Sequence, residues 1–179
     1  SVIVGNLAYI GEGSDLTVVD VSDSADPQRL GSVTLPDVVT GIEFAADRVY
    51  LTVGFSGLII ADVANPAAPA LLGGLITPGL AYNLRVVDTT VYVADSASGL
   101  LIINAADPAA PTLIGHYDTP GGGRDLQIVG ATAYLVDGSV GMQIINITNP
   151  AAPALLGFYD TPGFATGIEV VGDLAYIAD

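Results

Sequence analysis

Carboxylates recur in this chain at a spacing that invites a chemical reading. Asp95, Asp137 and Asp179 stand 42 residues apart, each closing a short apolar stretch, and Glu12 lies near the equivalent place at the start. A hard cation needs several oxygens converging at roughly 2.3–2.6 Å, so Ca2+ is the one cofactor these residues bring into question. Asp137-Gly138-Ser139-Val140-Gly141 and Asp95 to Gly99 nevertheless supply one carboxylate each, without the alternating Asp/Asn spacing of a calcium loop. They read as caps of solvated turns, and neither a metal ligand nor a cofactor is assigned. His116 is the only histidine and cysteine is absent, so a transition-metal site of the usual kind is not expected. Ser98 and Ser139 are loop serines without a nucleophile-elbow context, and His116 lies on a different element, which argues against a Ser–His–acid arrangement. Glycoside hydrolysis requires two opposed carboxylates, and carboxylates repeated at turns are weak evidence for such a pair. A hydrolytic, carbohydrate-active enzyme is the alternative kept in view, but no catalytic residue is assigned.

Binding is better served by two other sets. Glu43, Arg85, Gln127 and Glu169 share one slot among apolar neighbours. A charge there needs a partner, and adjacent Glu43 and Arg85 are expected to pair. The second set is Tyr82, Asn83, Arg124 and Asp125, at positions held elsewhere by Thr40-Gly41 and Thr166-Gly167, beside Gly121-Gly122-Gly123. These side chains are the candidate site for a small anionic or sugar ligand.

The elements that must position both sets follow from a period. Tyr9, Tyr50, Tyr92, Tyr134 and Tyr176 recur at intervals of 41, 42, 42 and 42 residues, the mark of a repeat architecture. In the third copy, residues 83–87, 91–94, 100–103 and 112–117 are short runs rich in Val, Ile, Leu and Tyr, separated by Asp, Gly, Asn and Pro. Such runs read as a small antiparallel meander. Asp20, Asp62, Asn104 and Asn146 suit Asx turns after the third strand. Pro27, Pro69, Pro111 and Pro153 set φ at the entry to the fourth. Gly31, Gly73, Gly115 and Gly157 interrupt that strand at one slot, which predicts a bulge or a close approach of neighbouring backbone.

A four-stranded unit of this size cannot bury both faces alone and must stack on its neighbours. The expected fold is all-β and β-propeller-like, with the first strand of each unit nearest the axis and the fourth at the rim. The units fall at about 2–34, 42–76, 84–118 and 126–160, with a half-unit at 168–179. A β-solenoid or an open stack of blades is the alternative. Helical repeats of similar period are excluded by the proline segments and by the lack of a 3.6-residue stripe. Because the chain opens and closes inside a repeat, it is expected to be a portion of a six- or seven-bladed ring.

Hydrophobic residues make up 51% and charged residues 13% of the chain, as strands buried on both faces would require. Four arginines, no lysine and nineteen acids give a net charge of −15. That field repels nucleic acid and anionic lipid, so neither is an expected partner. No uninterrupted apolar run approaches transmembrane length, and this segment is not expected to insert into a membrane.

The strings LTVVDVSD (16–23), LIIADVANP (58–66), LIINAADP (101–108) and MQIINITNP (142–150), with LAYI, VYLT, VYVA, AYLV and AYIA around the tyrosines, resemble the LVIVD-repeat proteins over the whole chain. That resemblance implies a propeller-like fold and an extracellular or cell-surface setting. It brings no catalytic set to transfer. The expected role is a structural or binding module of scaffold or adhesion type, meeting a protein or glycan at the cell surface. Self-association into a surface filament by strand addition is the alternative.

Overall fold

The computed structural model describes residues 1–179, and its strands follow the repeat. The first blade comprises β1 (Val2–Val4), β2 (Leu7–Glu12), β3 (Asp15–Asp20) and β4 (Gln28–Thr34). The second comprises β5 (Val39–Ala45), β6 (Arg48–Val53), β7 (Leu58–Asp62) and β8 (Ala70–Leu75), with a single 3-10 turn at Gly54–Ser56. The third holds β9 (Ala81–Val87), β10 (Thr90–Asp95), β11 (Gly99–Asn104) and β12 (Thr112–Tyr117). The fourth holds β13 (Asp125–Val129), β14 (Thr132–Val136), β15 (Met142–Asn146) and β16 (Ala154–Tyr159). A final hairpin pairs β17 (Gly167–Val171) with β18 (Leu174–Ala178). Each complete blade is an antiparallel sheet with its strands in sequence order, so the meander read from the sequence is the fold. The sheets are open and stacked in series, and none closes into a barrel. No helix is long and apolar enough to cross a membrane.

The core lies in the seams between blades. Tyr50, Leu58 and Ile60 of the second blade pack on Leu84, Val91, Val93, Leu101 and Ile103 of the third. Their neighbours Val49, Leu51 and Ala61 face the other way, onto Tyr9, Leu16 and Val18 of the first. Consecutive residues of one strand therefore enter different seams, which is why the central strands are apolar throughout. Tyr9, Tyr50 and Tyr92 are buried by the blade that follows each, whereas Tyr176, on the final hairpin, is 58% exposed.

The turn chemistry is as the residues predict. Asp20, Asp62, Asn104 and Asn146 each accept a hydrogen bond from the backbone N–H two residues on, at 2.8–2.9 Å. At the glycine slot both expectations hold together. The β3–β4, β7–β8, β11–β12 and β15–β16 registers all shift by one residue beside it. In addition, a Cβ on Gly73 would lie 2.5 Å from the Ala109 carbonyl oxygen of the next blade. At Gly157 no atom lies within 4 Å of that position.

Candidate functional site

The inner strands β5, β9, β13 and β17 run side by side along the axis, joined by side chains reaching into the next blade. Glu43 on β5 accepts from the Val86 N–H at 3.0 Å. Gln127 on β13 spans the next gap twice, accepting from the Val170 N–H at 2.8 Å and donating to the Val170 carbonyl at 3.4 Å. Asp125 receives the Ile168 N–H at 2.9 Å and the Asn83 amide at 2.5 Å. Parallel strands too far apart for a backbone ladder are thus laced by side chains that imitate one. A neutral bond of this kind, as at Gln127, contributes about 1 kcal/mol.

Glu43 and Arg85 do not bond directly. Arg85 Nη1 instead donates to the Leu84 carbonyl at 2.7 Å, and Glu43 takes the backbone amide beside it. The expected ion pair gives way to backbone partners because the inner strands leave amides and carbonyls pointing into the gap. Burial pushes the Glu43 carboxyl above its ordinary pKa, while the Arg85 charge and the Val86 amide pull it down. Glu169 is exposed on the final hairpin.

Tyr82, Asn83, Arg124 and Asp125 do converge. The Arg124 guanidinium lies 4.3 Å over the Tyr82 ring and 5.0 Å from the Phe164 ring, so two aromatic faces hold it. Its Nε is buried without a hydrogen-bond partner in the protein. Asn83 donates to Asp125 on the adjoining residues. Phe164 escaped the sequence reading because its counterparts in the repeat are Gly122 and Leu80. Nearby, Thr40, Gly41, Asn83 and Arg85 line a polar hollow of about 310 Å³.

The repeated carboxylates serve the connections between blades. Asp137 is fully buried; it accepts from the Thr119 hydroxyl at 2.5 Å and from the Gly121 N–H at 2.9 Å. Asp179 holds Thr161 and Gly163 in the same way. Asp95 takes the Gly79 N–H and caps Ala97 and Ser98. Each therefore clamps the Thr-Pro-Gly crossover that enters its own blade. Burial raises the Asp137 pKa, the Thr119 and Gly121 bonds oppose it, the nearby Asp118 charge adds to it, and Arg124 lowers it. At the first crossover the arrangement is reversed. Asp37, in Leu35-Pro36-Asp37, receives the Phe55 N–H at 3.0 Å, and the second blade has Gly54 after its second strand. The signal was present in the sequence: the one crossover lacking Thr-Pro-Gly meets the one internal blade lacking the strand-end Asp. Glu12 accepts from Thr17 within its own blade.

No three His, Asp or Glu side chains converge at a metal-binding spacing. His116 is exposed on outer strand β12, opposite Leu101 and remote in the fold from the axial cluster.

The LVIVD repeat pattern matches residues 2–34, 47–77, 78–119, 120–161 and 162–179. The unmatched residues 35–46 contain the crossover with the reversed clamp. No curated protein matches the chain. Among solved structures, the computationally designed Ika8 protein is similar with a TM-score of 0.77 and 11% identity, over 98% of this chain and 53% of that one. A functionally unknown protein from Desulfotomaculum acetoxidans DSM 771 gives 0.76 and 12%, over 96% and 58%. The computationally designed Ika4 protein gives 0.63 and 11%, over 79% and 85%. The chain spans about half the length of the Ika8 protein. Likeness at these identities is one of fold, and carries no function with it. With five repeats matched over most of its length, the chain belongs to the LVIVD repeat family.

Proposed function

We propose that the chain is a structural and binding module of the cell surface or of secreted material, acting by contact rather than by chemistry. The observation that supports this reading best is the employment of its polar residues. Asp95, Asp137 and Asp179 clamp crossovers, and Glu43, Asp125 and Gln127 lace inner strands, so the candidate acids and bases are committed to holding blades together. The axial cluster is the exception. Arg124 is held rigidly by Tyr82 and Phe164 yet has a buried donor without an acceptor, which suits a carboxylate or another small oxyanion at that end of the axis. Detection of the protein in envelope and culture-supernatant fractions, with loss of signal when intact cells are treated with protease, tests the setting. Confinement to the cytosol would overturn it.

A second reading is a filament subunit assembled by strand addition. It is favoured by the near identity of VGNLAYI (4–10) and VGDLAYI (171–177), which form hairpins in the same register. One hairpin is thereby suited to the place of the other in a neighbouring copy. Deleting residues 168–179 should abolish polymers seen by light scattering, and unchanged assembly would dismiss this reading.

A further inference from the structure

We propose that the rim of the seam between the third and fourth blades is a binding site for an uncharged sugar ring. A groove of about 260 Å³ opens there, lined by Tyr117, Gln143, Leu155 and Phe158 together with Asp118 and Pro120. Gln143 is 4% exposed, and its amide makes no hydrogen bond to the protein while lining the groove. The only buried side-chain polar atom without a partner is Arg124 Nε, so the Gln143 amide is open to the groove and free to bond a ligand there, and the repeat shows that the fold does not need it. The same slot holds Thr17, Ile59 and Leu101, and Leu101 completes the apolar core of the preceding seam. The walls supply aromatic carbon. Phe158 stands where the other blades have Ser32, Gly74 and His116, and Tyr117 fills a slot that is Val33 and Leu75 in the preceding blades and Tyr159 in the fourth. Gln143 and Phe158, both particular to the fourth blade, meet Tyr117 of the third in one groove.

Their chemistry matches a pyranose. Its C–H face packs on aromatic carbon, here the Phe158 ring, which is 65% exposed, and the half-buried Tyr117. Its hydroxyls are donors and acceptors at once. An amide offers both functions from the floor, and the exposed Asp118 carboxylate accepts from the edge. Asp118 in the lining, with no arginine beside it, disfavours an anionic ligand. The loop bearing Asp118 and Pro120 is fixed from behind by Asp137, through Thr119 and Gly121, so the wall is set before a ligand arrives.

This deepens the reading of the chain as a binding module, and its test is independent of where the protein resides. The purified 179-residue chain is titrated with methyl glucoside, methyl galactoside, methyl mannoside and N-acetylglucosamine, observed by saturation-transfer NMR. A tetramethylammonium arm tests a cationic occupant of the same aromatic box. At least one sugar should receive saturation at its ring C–H face. Phe158→Ala and Gln143→Leu should each weaken its binding by about tenfold, the scale of one aromatic contact or hydrogen bond. Gln143→Leu restores the side chain of the sister seam, so retention of its strand circular dichroism identifies any loss as local. Binding of none of the sugars, binding undiminished in both variants, or binding of tetramethylammonium alone would overturn the proposal. A surface protein that fails this test remains a surface module without this sugar site.

Discussion

The seam between the second and third blades and the seam between the third and fourth are built on one frame and finished differently. In the former, Leu101 and Ile103 meet Leu72 and Leu75, carrying the apolar core out to the rim. In the latter, Ile145 joins the core of Leu100, Ile102, Leu126 and Leu135, and Ile114 and Tyr117 pack on it from the outer strand, but Gln143 stands where Leu101 completes the other seam. Repetition secures the core of each seam and leaves individual rim and axial positions free to vary. Departures from the repeat that no packing need explains are therefore the places to look for function.

The widest separation between the seams should come from truncating their equivalent residues. Leu101→Ala removes a buried side chain from a filled seam and should cost about 3 kcal/mol, read as a shift in urea midpoint. Gln143→Leu should leave stability unchanged or raise it by up to about 1 kcal/mol, since an unpartnered amide is replaced by hydrocarbon. A destabilised Gln143→Leu protein would mean that the amide is structurally engaged and that the contrast between the seams is wrong.

Next in size is the glycine slot. Gly115→Ala places a methyl group against the Pro150 carbonyl and should cost about 2 kcal/mol. Gly157→Ala, with open space at that position, should stay within about 0.5 kcal/mol. Equal losses would show that glycine is needed for backbone freedom at the bulge, and not for the approach of the next blade.

The clamp at the third crossover separates the seams by pH. Asp137 has its native pKa raised above the ordinary value of 3.8, so the native state holds that proton more tightly than the unfolded chain does. The resulting stabilisation is complete below the ordinary value and is lost as pH rises through the raised one. Stability relative to Asp137→Asn should fall across that interval and level off above it. The asparagine can still accept from Gly121 and donate to Thr119, so its cost at neutral pH should be about 1 kcal/mol. Parallel pH profiles for the two proteins would contradict the raised pKa. The smallest expected effect is at the axial cluster, where Arg124→Gln gives up two aromatic contacts and should cost about 0.5–1 kcal/mol. A larger loss would make Arg124 a structural keystone and weaken its reading as a ligand contact.

Much of the frame is legible in the sequence. Strand placement, Asx turns, proline entries and the interrupted outer strand depend on residues a few positions apart, and each is restated in the successive repeats. Local φ/ψ preference and the two-residue alternation of a strand decide such features, and repetition exposes them. The axial set was legible for the same reason, as deviations at a shared slot that four blades bring to one end of the axis. The partners across each seam were not legible. Arg124 with Phe164 and Gln143 with Tyr117 depend on how far one sheet is rotated and displaced against the next. That stagger is set by the summed packing of whole sheet faces, so no short stretch of sequence encodes it. The sequence by itself determined what each blade is; the tertiary structure decided which side chains meet between blades.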